Sequence, residues 1–244
     1  MNKTIELKLK HLRLKGMANS WQAMTETRRI HELSFSEGLE LLLQSEEEDR
    51  QNSRFVRLLS SAKFRYQASI EEIHFEPSRN IDKGLVTSLA ACSYIDKGES
   101  ILITGATGCG KSFLVSALGH QACIKGYSVG YFNTQKFMLK IKMARLDGSI
   151  LKFFDKIAKT SLLILDDFGL THLEQQQQFD LMEIIEDRHG KRSTIISSQL
   201  PVVNWYDIIS EATIADAILD RLVHSSYRIE LKGESLRKKS NNNK

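Results

Sequence analysis

The sequence predicts an α/β fold: a mainly parallel sheet flanked by helices, preceded by a small all-helical N-terminal region. Three observations point to it. A short β-type run, Ser100-Ile101-Leu102-Ile103-Thr104, leads straight into a glycine-rich turn and then an apolar helical pattern. A second apolar run, Leu162-Leu163-Ile164-Leu165, ends in two acids, Asp166 and Asp167. Strand-like and helix-like segments then alternate up to residue 231, and repeated β-α units assemble into a parallel sheet covered on both faces. Ligands of such sheets sit at the carboxyl ends of the strands.

The bulk properties fit one large domain or two smaller ones. The 244 residues are 41% apolar and 26% charged, which suffices for a sizeable core. No apolar run approaches the roughly 20 residues that cross a bilayer, and the first residues lack an apolar signal core. A cytoplasmic protein without a membrane partner is therefore expected. Cys92, Cys109 and Cys123 have no metal-ligand spacing, and the seven histidines are scattered; a reducing compartment and no zinc follow. The net charge of +4 permits a nucleic-acid partner.

The elements follow in order. Residues 1–66 read as helical. Leu14, Met17, Trp21 and Met24 form an apolar stripe at spacings of three and four. Ser34 and Glu37 make a capping box that opens a helix with Phe35, Leu39, Leu42 and Leu43. Ser69 and Glu72 make a second box and start a new element; Pro77 marks a connector. These signals divide the chain into residues 1–68, a helical domain suited to docking DNA or a partner protein, and residues 69–236, the α/β domain. Residues 237–244 form a basic tail expected to be disordered. Within the α/β domain an amphipathic helix covers 82–94, and the helix after Ser112 ends near Gly126. Strands are expected over 127–132, 162–165, 193–198 and 227–231. Helical segments fill 134–159 with a break at Asp147-Gly148, then 171–190 and 214–223. The glutamine run 175–178 reads as exposed helix surface.

The chemistry concentrates at a few positions. Gly105-Ala106-Thr107-Gly108-Cys109-Gly110-Lys111-Ser112 has the phosphate-loop form G-x-x-x-x-G-K-[ST]. A triphosphate packs several negative charges into a small volume. Binding it needs backbone N–H donors at close range, which glycines allow, and a helix N-terminus, here at Phe113. Lys111 is placed to reach the β/γ-phosphates and the Ser112 hydroxyl to ligate Mg²⁺. Asp166 would hold Mg²⁺ directly or through water, and Asp167 would orient the attacking water. Ser198 or Gln199, at the end of the 193–198 strand, is placed to contact the γ-phosphate or the water. Arg221 lies on a helix opposite Ile214, Ala217, Ile218 and Leu222. It reads either as an arginine supplied to a neighbouring subunit's nucleotide or as a surface ion pair with Asp216 or Asp220. Arg237 is a candidate nucleotide contact within the same subunit. Between residues 136 and 159 the bases Lys136, Lys140, Lys142 and Arg145 face only Asp147 and Asp155, with Lys152, Lys156 and Lys159 beyond. Such a segment neutralises backbone phosphates without reading sequence.

Several stretches carry a family resemblance. They are Leu12-Arg13-Leu14-Lys15-Gly16-Met17-Ala18, residues 99–112, residues 162–169 and residues 186–201. Ala215-Asp216-Ala217-Ile218-Leu219-Asp220-Arg221-Leu222-Val223-His224 and residues 229–237 complete the set. Together they resemble AAA+ ATPases of the DnaC/DnaI helicase-loader clade, and within it the IstB-like ATP-binding helper proteins of bacterial insertion sequences. The resemblance implies a multimeric ATPase, with ATP and Mg²⁺ at subunit interfaces, that binds duplex DNA largely without sequence preference. It also implies that the protein helps a cognate transposase choose its target, with hydrolysis timing release. By position, Lys111 and Ser112 match the Walker A motif, Asp166 and Asp167 match Walker B, and Arg221 matches the trans-acting arginine. The basic segment matches the insertion through which related initiators touch DNA. Asp167 stands where many AAA+ enzymes have Glu, which implies slow hydrolysis. Gln199 stands where helicase loaders usually have Asn. The alternative within the clade is a replicative helicase loader. A small-molecule kinase would need an arginine-bearing lid, and no such segment is present.

Overall fold

The structure, a computed structural model, describes residues 2–224 and 226–236; Arg237 and the rest of the basic tail lie outside the described residues. The chain divides into two compact units, residues 1–57 and 58–244. The first holds α1 (Asn2–His11), α2 (Lys15–Glu26) and most of α3 (Phe35–Ala62), which runs through the division. The boundary expected near residue 68 lies six residues beyond the end of α3 at Ala62, whereas the compact units divide earlier, inside α3.

In the N-terminal unit the reciprocal cap forms. The Ser34 N–H donates to Glu37 Oε2 at 2.8 Å, and the Glu37 N–H donates to Ser34 Oγ at 3.3 Å. The face that α2 buries differs from the expected stripe: Gly16, Ala18 and Met24 are buried, while Met17 and Trp21 are half-buried. The reason is a close approach of main chain. A Cβ on Gly16 would lie 2.2 Å from the Ser45 carbonyl oxygen of α3, so small residues face the contact. Beside it the buried Glu46 accepts from the Met17 N–H at 3.2 Å and from the Arg50 guanidinium at 2.7 Å.

The second unit is built on a five-stranded sheet in the order β2-β3-β4-β1-β5, parallel throughout. The strands are β1 (Ser100–Gly105), β2 (Val129–Asn133), β3 (Leu162–Phe168), β4 (Ser193–Ser198) and β5 (Ser226–Leu231). Register places Ile101 beside Ile195 and Ile195 beside Ile164, with Leu102, Ile196 and Leu165 forming the next row. Because side chains alternate along a strand, these rows line opposite faces. The Ile164 row packs toward α6 (Lys111–Ile124); a Cβ on Gly119 of α6 would lie 2.8 Å from Ile164 Cδ1. The Leu102 row joins the core beneath α7 (Thr134–Leu146), α8 (Ile150–Lys159), α9 (Gln175–Arg188), α10 (Trp205–Ile209) and α11 (Ala212–Val223). Both faces are thus covered, which is why the inner strands β1 and β3 carry continuous apolar runs, while the edge strand β5 alternates with Arg228 and Glu230 exposed.

Three expectations are corrected. The Ser69–Glu72 box forms one of its bonds, Ser69 N–H to Glu72 Oε2 at 2.8 Å, but only a turn follows. Pro77 arrives too soon for a helix to nucleate. The helix expected over 82–94 is two pieces, α4 (Lys83–Ala90) and α5 (Ser93–Asp96), broken where Cys92 takes φ 64°. The break lets the Tyr94 carbonyl accept from Ser193 Oγ at 2.9 Å. Finally, Gln178 is buried rather than exposed, its amide donating to Leu173 O at 2.9 Å and Ser210 Oγ at 3.1 Å.

Arg188, the last residue of α9, is fully buried and holds the strand starts together. Its guanidinium donates to Thr194 Oγ1 at 3.1 Å, Ile157 O at 2.6 Å, Thr160 O at 2.8 Å and Ser193 O. Burial pushes its pKa down to about 9, so it stays charged at neutral pH. Arg188→Met fills the volume but removes the guanidinium's bonds to three carbonyls and to Thr194 Oγ1. Urea unfolding of the full chain is expected to show a loss of about 3 kcal/mol or more.

Candidate nucleotide site

β1 ends at Gly105 and α6 begins at Lys111, and the loop between them is pressed against other parts of the chain. Gly108 and Gly110 have φ of 83° and 94°, the left-handed region that glycine adopts without strain. A Cβ on Gly108 would meet Ser235 Oγ at 2.2 Å, and one on Gly110 would meet Arg79 Nη2 at 2.6 Å. The buried Arg79 supports the loop from behind, donating to Cys109 O at 2.6 Å and to His74 O at 3.3 Å. The Arg79 carbonyl accepts from the Lys232 N–H, and Gly108 O accepts from the Leu236 N–H, each at 3.0 Å. The chain after β5 therefore straps the loop in place. Nothing in the sequence marks Arg79, a single arginine in a turn.

The loop residues predicted to cradle phosphate are gathered here. Lys111, only 5% exposed, points its ammonium back along the loop, donating to Gly105 O at 2.6 Å and Ala106 O at 2.8 Å. Thr107 Oγ1 donates to Gln199 Oε1 at 2.6 Å, tying the loop to the end of β4. Of the two sensor candidates, Ser198 is buried, donating to Phe168 O and accepting from the Leu200 N–H. Gln199 is the one that faces the cleft. That cleft, about 310 Å³, is lined by Thr107, Lys111, Ser112, Phe113, Asp167 and Gln199, with Arg65 and Tyr66 closing one side.

β3 brings two unlike carboxylates to the same place. Asp166 is fully buried; one oxygen accepts from the Tyr131 hydroxyl at 2.5 Å and the other from Ser197 Oγ. Burial, and then the Asp166 charge beside it, raise the Tyr131 phenol far above its usual range, so it remains a donor. Asp167 takes φ 59°, uncommon for a residue with a Cβ. Its Oδ2 accepts from Asn133 Nδ2 at 3.1 Å and from Arg65 Nη1 at 3.0 Å. Asn133 and Arg65 carry no motif of their own; only register and folding bring them here. The Ser112 hydroxyl and the two carboxylates are the hard oxygen donors that suit Mg²⁺. Among the described residues no group of three or more His, Cys, Asp or Glu is gathered.

Arg221 is elsewhere. It donates to Ala217 O at 2.9 Å and pairs with Glu186 of α9, not with Asp216 or Asp220. It lines a cavity of about 210 Å³ with Gly98, Ser100 and Thr194, at the amino ends of the strands. The loop lies a full strand away, roughly 17 Å for six residues, beyond the reach of one arginine side chain. On α7, Lys136, Lys140 and Lys142 are exposed, Lys140 lying 5.4 Å over the Phe132 ring. Arg145 differs from the expectation of a free DNA-facing base. Its Nε donates to Asp180 Oδ1 at 3.2 Å in an ion pair with α9, so its charge is neutralised within the fold. Cys109 is buried within the loop. Burial pushes the Cys92 thiol up to about 11 and the Cys123 thiol up to about 12, which leaves both unreactive.

A family profile described as IstB-like ATP binding protein matches residues 7–244. The insertion sequence ATP-binding protein y4pL of Sinorhizobium fredii is 42% identical over 231 residues, 95% of this chain and 94% of its own. The IS5376 ATP-binding protein of Geobacillus stearothermophilus is 30% identical over 226 residues, 93% of this chain and 90% of its own. Among solved structures, the DnaC helicase loader superposes with a TM-score of 0.58 at 22% identity, over 68% of this chain and 98% of that one. AMPPCP-bound DnaA from Aquifex aeolicus gives 0.61 at 18% identity, over 74% and 56%. At such identities these likenesses carry the fold, which is that of the AAA+ P-loop proteins.

Gly110→Ala would force a Cβ into the Arg79 guanidinium at a left-handed φ. Binding of a fluorescent ATP analogue is expected to weaken about tenfold or more, and the melting temperature of the full chain to fall by a few degrees.

Proposed function

The chain belongs to the IstB-like ATP-binding family, and on that premise we propose that it is an ATPase that assembles on duplex DNA and directs a cognate transposase, with ATP held between neighbouring copies. The observation that carries the reading is the separation of the nucleotide cleft and Arg221 at opposite ends of one parallel sheet. Arg221 cannot reach its own loop and would exchange Glu186 for the nucleotide held by the loop of another copy.

In this reading the backbone of residues 105–113 cradles the phosphates, and Lys111 leaves its two carbonyls to reach the β/γ-phosphates. Ser112 and Asp166 would hold Mg²⁺, Asp166 directly or through water. When bound, the ion neutralises phosphate charge and orients the terminal group for in-line attack. Asp167 orients the attacking water; the water oxygen bonds to the γ-phosphorus as the bond to the ADP oxygen breaks. Gln199, joined to Thr107, reports on the γ-phosphate. Asp167 is short and held by two donors, which supports slow turnover that DNA or a partner stimulates. Lys136, Lys140 and Lys142 supply sequence-independent contacts to the DNA backbone.

The DnaC likeness keeps a helicase-loader role as the second reading; the insertion-sequence relatives support the first. ATPase activity with and without duplex DNA, with oligomer size followed in parallel, tests the proposal. A protein that stays monomeric with saturating ATP, Mg²⁺ and DNA overturns it. Asp167→Asn is expected to retain ATP binding, lose most turnover and accumulate assemblies on DNA, read by analytical ultracentrifugation. Arg221→Ala and Lys111→Ala are each expected to hydrolyse poorly. Mixed together they regain part of the rate, because one copy supplies the intact cleft and the other the intact arginine.

A further inference from the structure

The loop after α3 places a cation among the acidic residues of the nucleotide cleft. α3 ends at Ala62, and Lys63 turns the chain through φ 58°. The next three residues each find a fixed position. The Phe64 ring meets Tyr131 edge-on at 5.9 Å and fills the notch left by Gly119, where a Cβ would lie 2.4 Å from Phe64 Cε1. The Tyr66 ring lies 6.5 Å from Phe113. Between these anchors Arg65 reaches inward, its Nη1 3.0 Å from Asp167 Oδ2 and 3.9 Å from Asp166 Oδ2. Among the described residues it is the one cation within ion-pair distance of either acid. Its side chain is 42% exposed, so it has room to leave.

We propose that Arg65 is a positioning residue of this site: it holds the Asp167 carboxylate until a divalent cation reaches the Asp166–Asp167 pair, and so sets that pair's affinity for the cation. The inference rests on reading the cleft as a Mg²⁺-nucleotide site. Two adjacent carboxylates repel each other, and one positive guanidinium relieves that repulsion. A divalent cation does the same work more strongly, but it and the guanidinium carry like charge and compete for the same oxygens. Arg65 therefore keeps the acids ordered without metal and lowers their attraction for free metal. Residues 64–66 are fixed by ring contacts that do not involve the carboxylates, so the side chain can release Asp167 while its backbone stays in place.

The test uses Mn²⁺ alone, without nucleotide, on the full chain, with free Mn²⁺ read by electron paramagnetic resonance. The component of binding abolished in an Asp166→Asn/Asp167→Asn double variant defines the site. Arg65→Ala and Arg65→Gln are each expected to bind Mn²⁺ about five- to tenfold more tightly at that site. Arg65→Lys, which keeps the charge, returns toward wild type. In an Asp167→Asn background the effect of Arg65→Gln shrinks to about twofold or less, as two members of one interaction require. Unchanged or weaker Mn²⁺ binding in folded Arg65→Gln overturns the proposal, as does an effect of full size in the Asp167→Asn background. Because no nucleotide is present, these outcomes are separate from a failure to bind ATP, which would count against the nucleotide reading instead.

Discussion

At Gly105, Gly108 and Gly110 the phosphate loop lies so close to other parts of the chain that nothing wider than a hydrogen atom fits. Gly105 faces the Leu231 carbonyl, where a Cβ would sit 2.3 Å from the oxygen. Register explains this: Leu231 is the residue of β5 paired with Gly105 of β1. The strand order sets β1 between β4 and β5. The loop therefore has Gln199 on one side and the strap of residues 232–236 on the other, with Arg79 behind it. The sheet builds the loop's shape as much as the loop's own sequence does.

The same sheet separates two neighbouring acids into different chemical roles. Asp166 is sealed beneath the surface with a hydroxyl donor on each oxygen, so its position is held by neutral partners. Asp167, one residue on, turns through a left-handed φ and emerges into the cleft, where its partners are an amide and a guanidinium. Burial would make a second charge beside Asp166 costly; the backbone turn at Asp167 instead carries that charge toward solvent and toward Arg65.

Much of this was legible in the chain because it depends on local pattern. β1 and β3 read as apolar runs, β5 as an alternating edge strand, and the loop announces itself by glycine spacing and Lys111-Ser112. The Asp147-Gly148 break between α7 and α8 follows from turn chemistry. What was not legible depends on contacts between residues far apart in sequence. Arg65 and Asp167 are 102 residues apart, and Arg79 and Cys109 are 30 apart. The ion pairs of Arg145 with Asp180 and Arg221 with Glu186 are of the same kind, since a helix face shows which side is polar but not which acid lies opposite. The buried face of α2 departs from its apolar stripe for a related reason. Large apolar residues usually mark a core face, but here a backbone approach at Gly16 selected the small ones.

The position of Arg221 bears on how copies of this chain would add to one another. The surface that would hold a triphosphate and the surface that would complete it lie at opposite ends of the sheet, so a contact that engages one of each at a time is head-to-tail rather than two-fold. Each such addition would leave one vacant acceptor face and one spare donor face at the extremities. The result would be a directional chain whose two termini are chemically distinct until it closes on itself, or which grows as a helix. On a double helix whose strands run antiparallel, such a chain would impose a direction that the DNA backbone alone does not have.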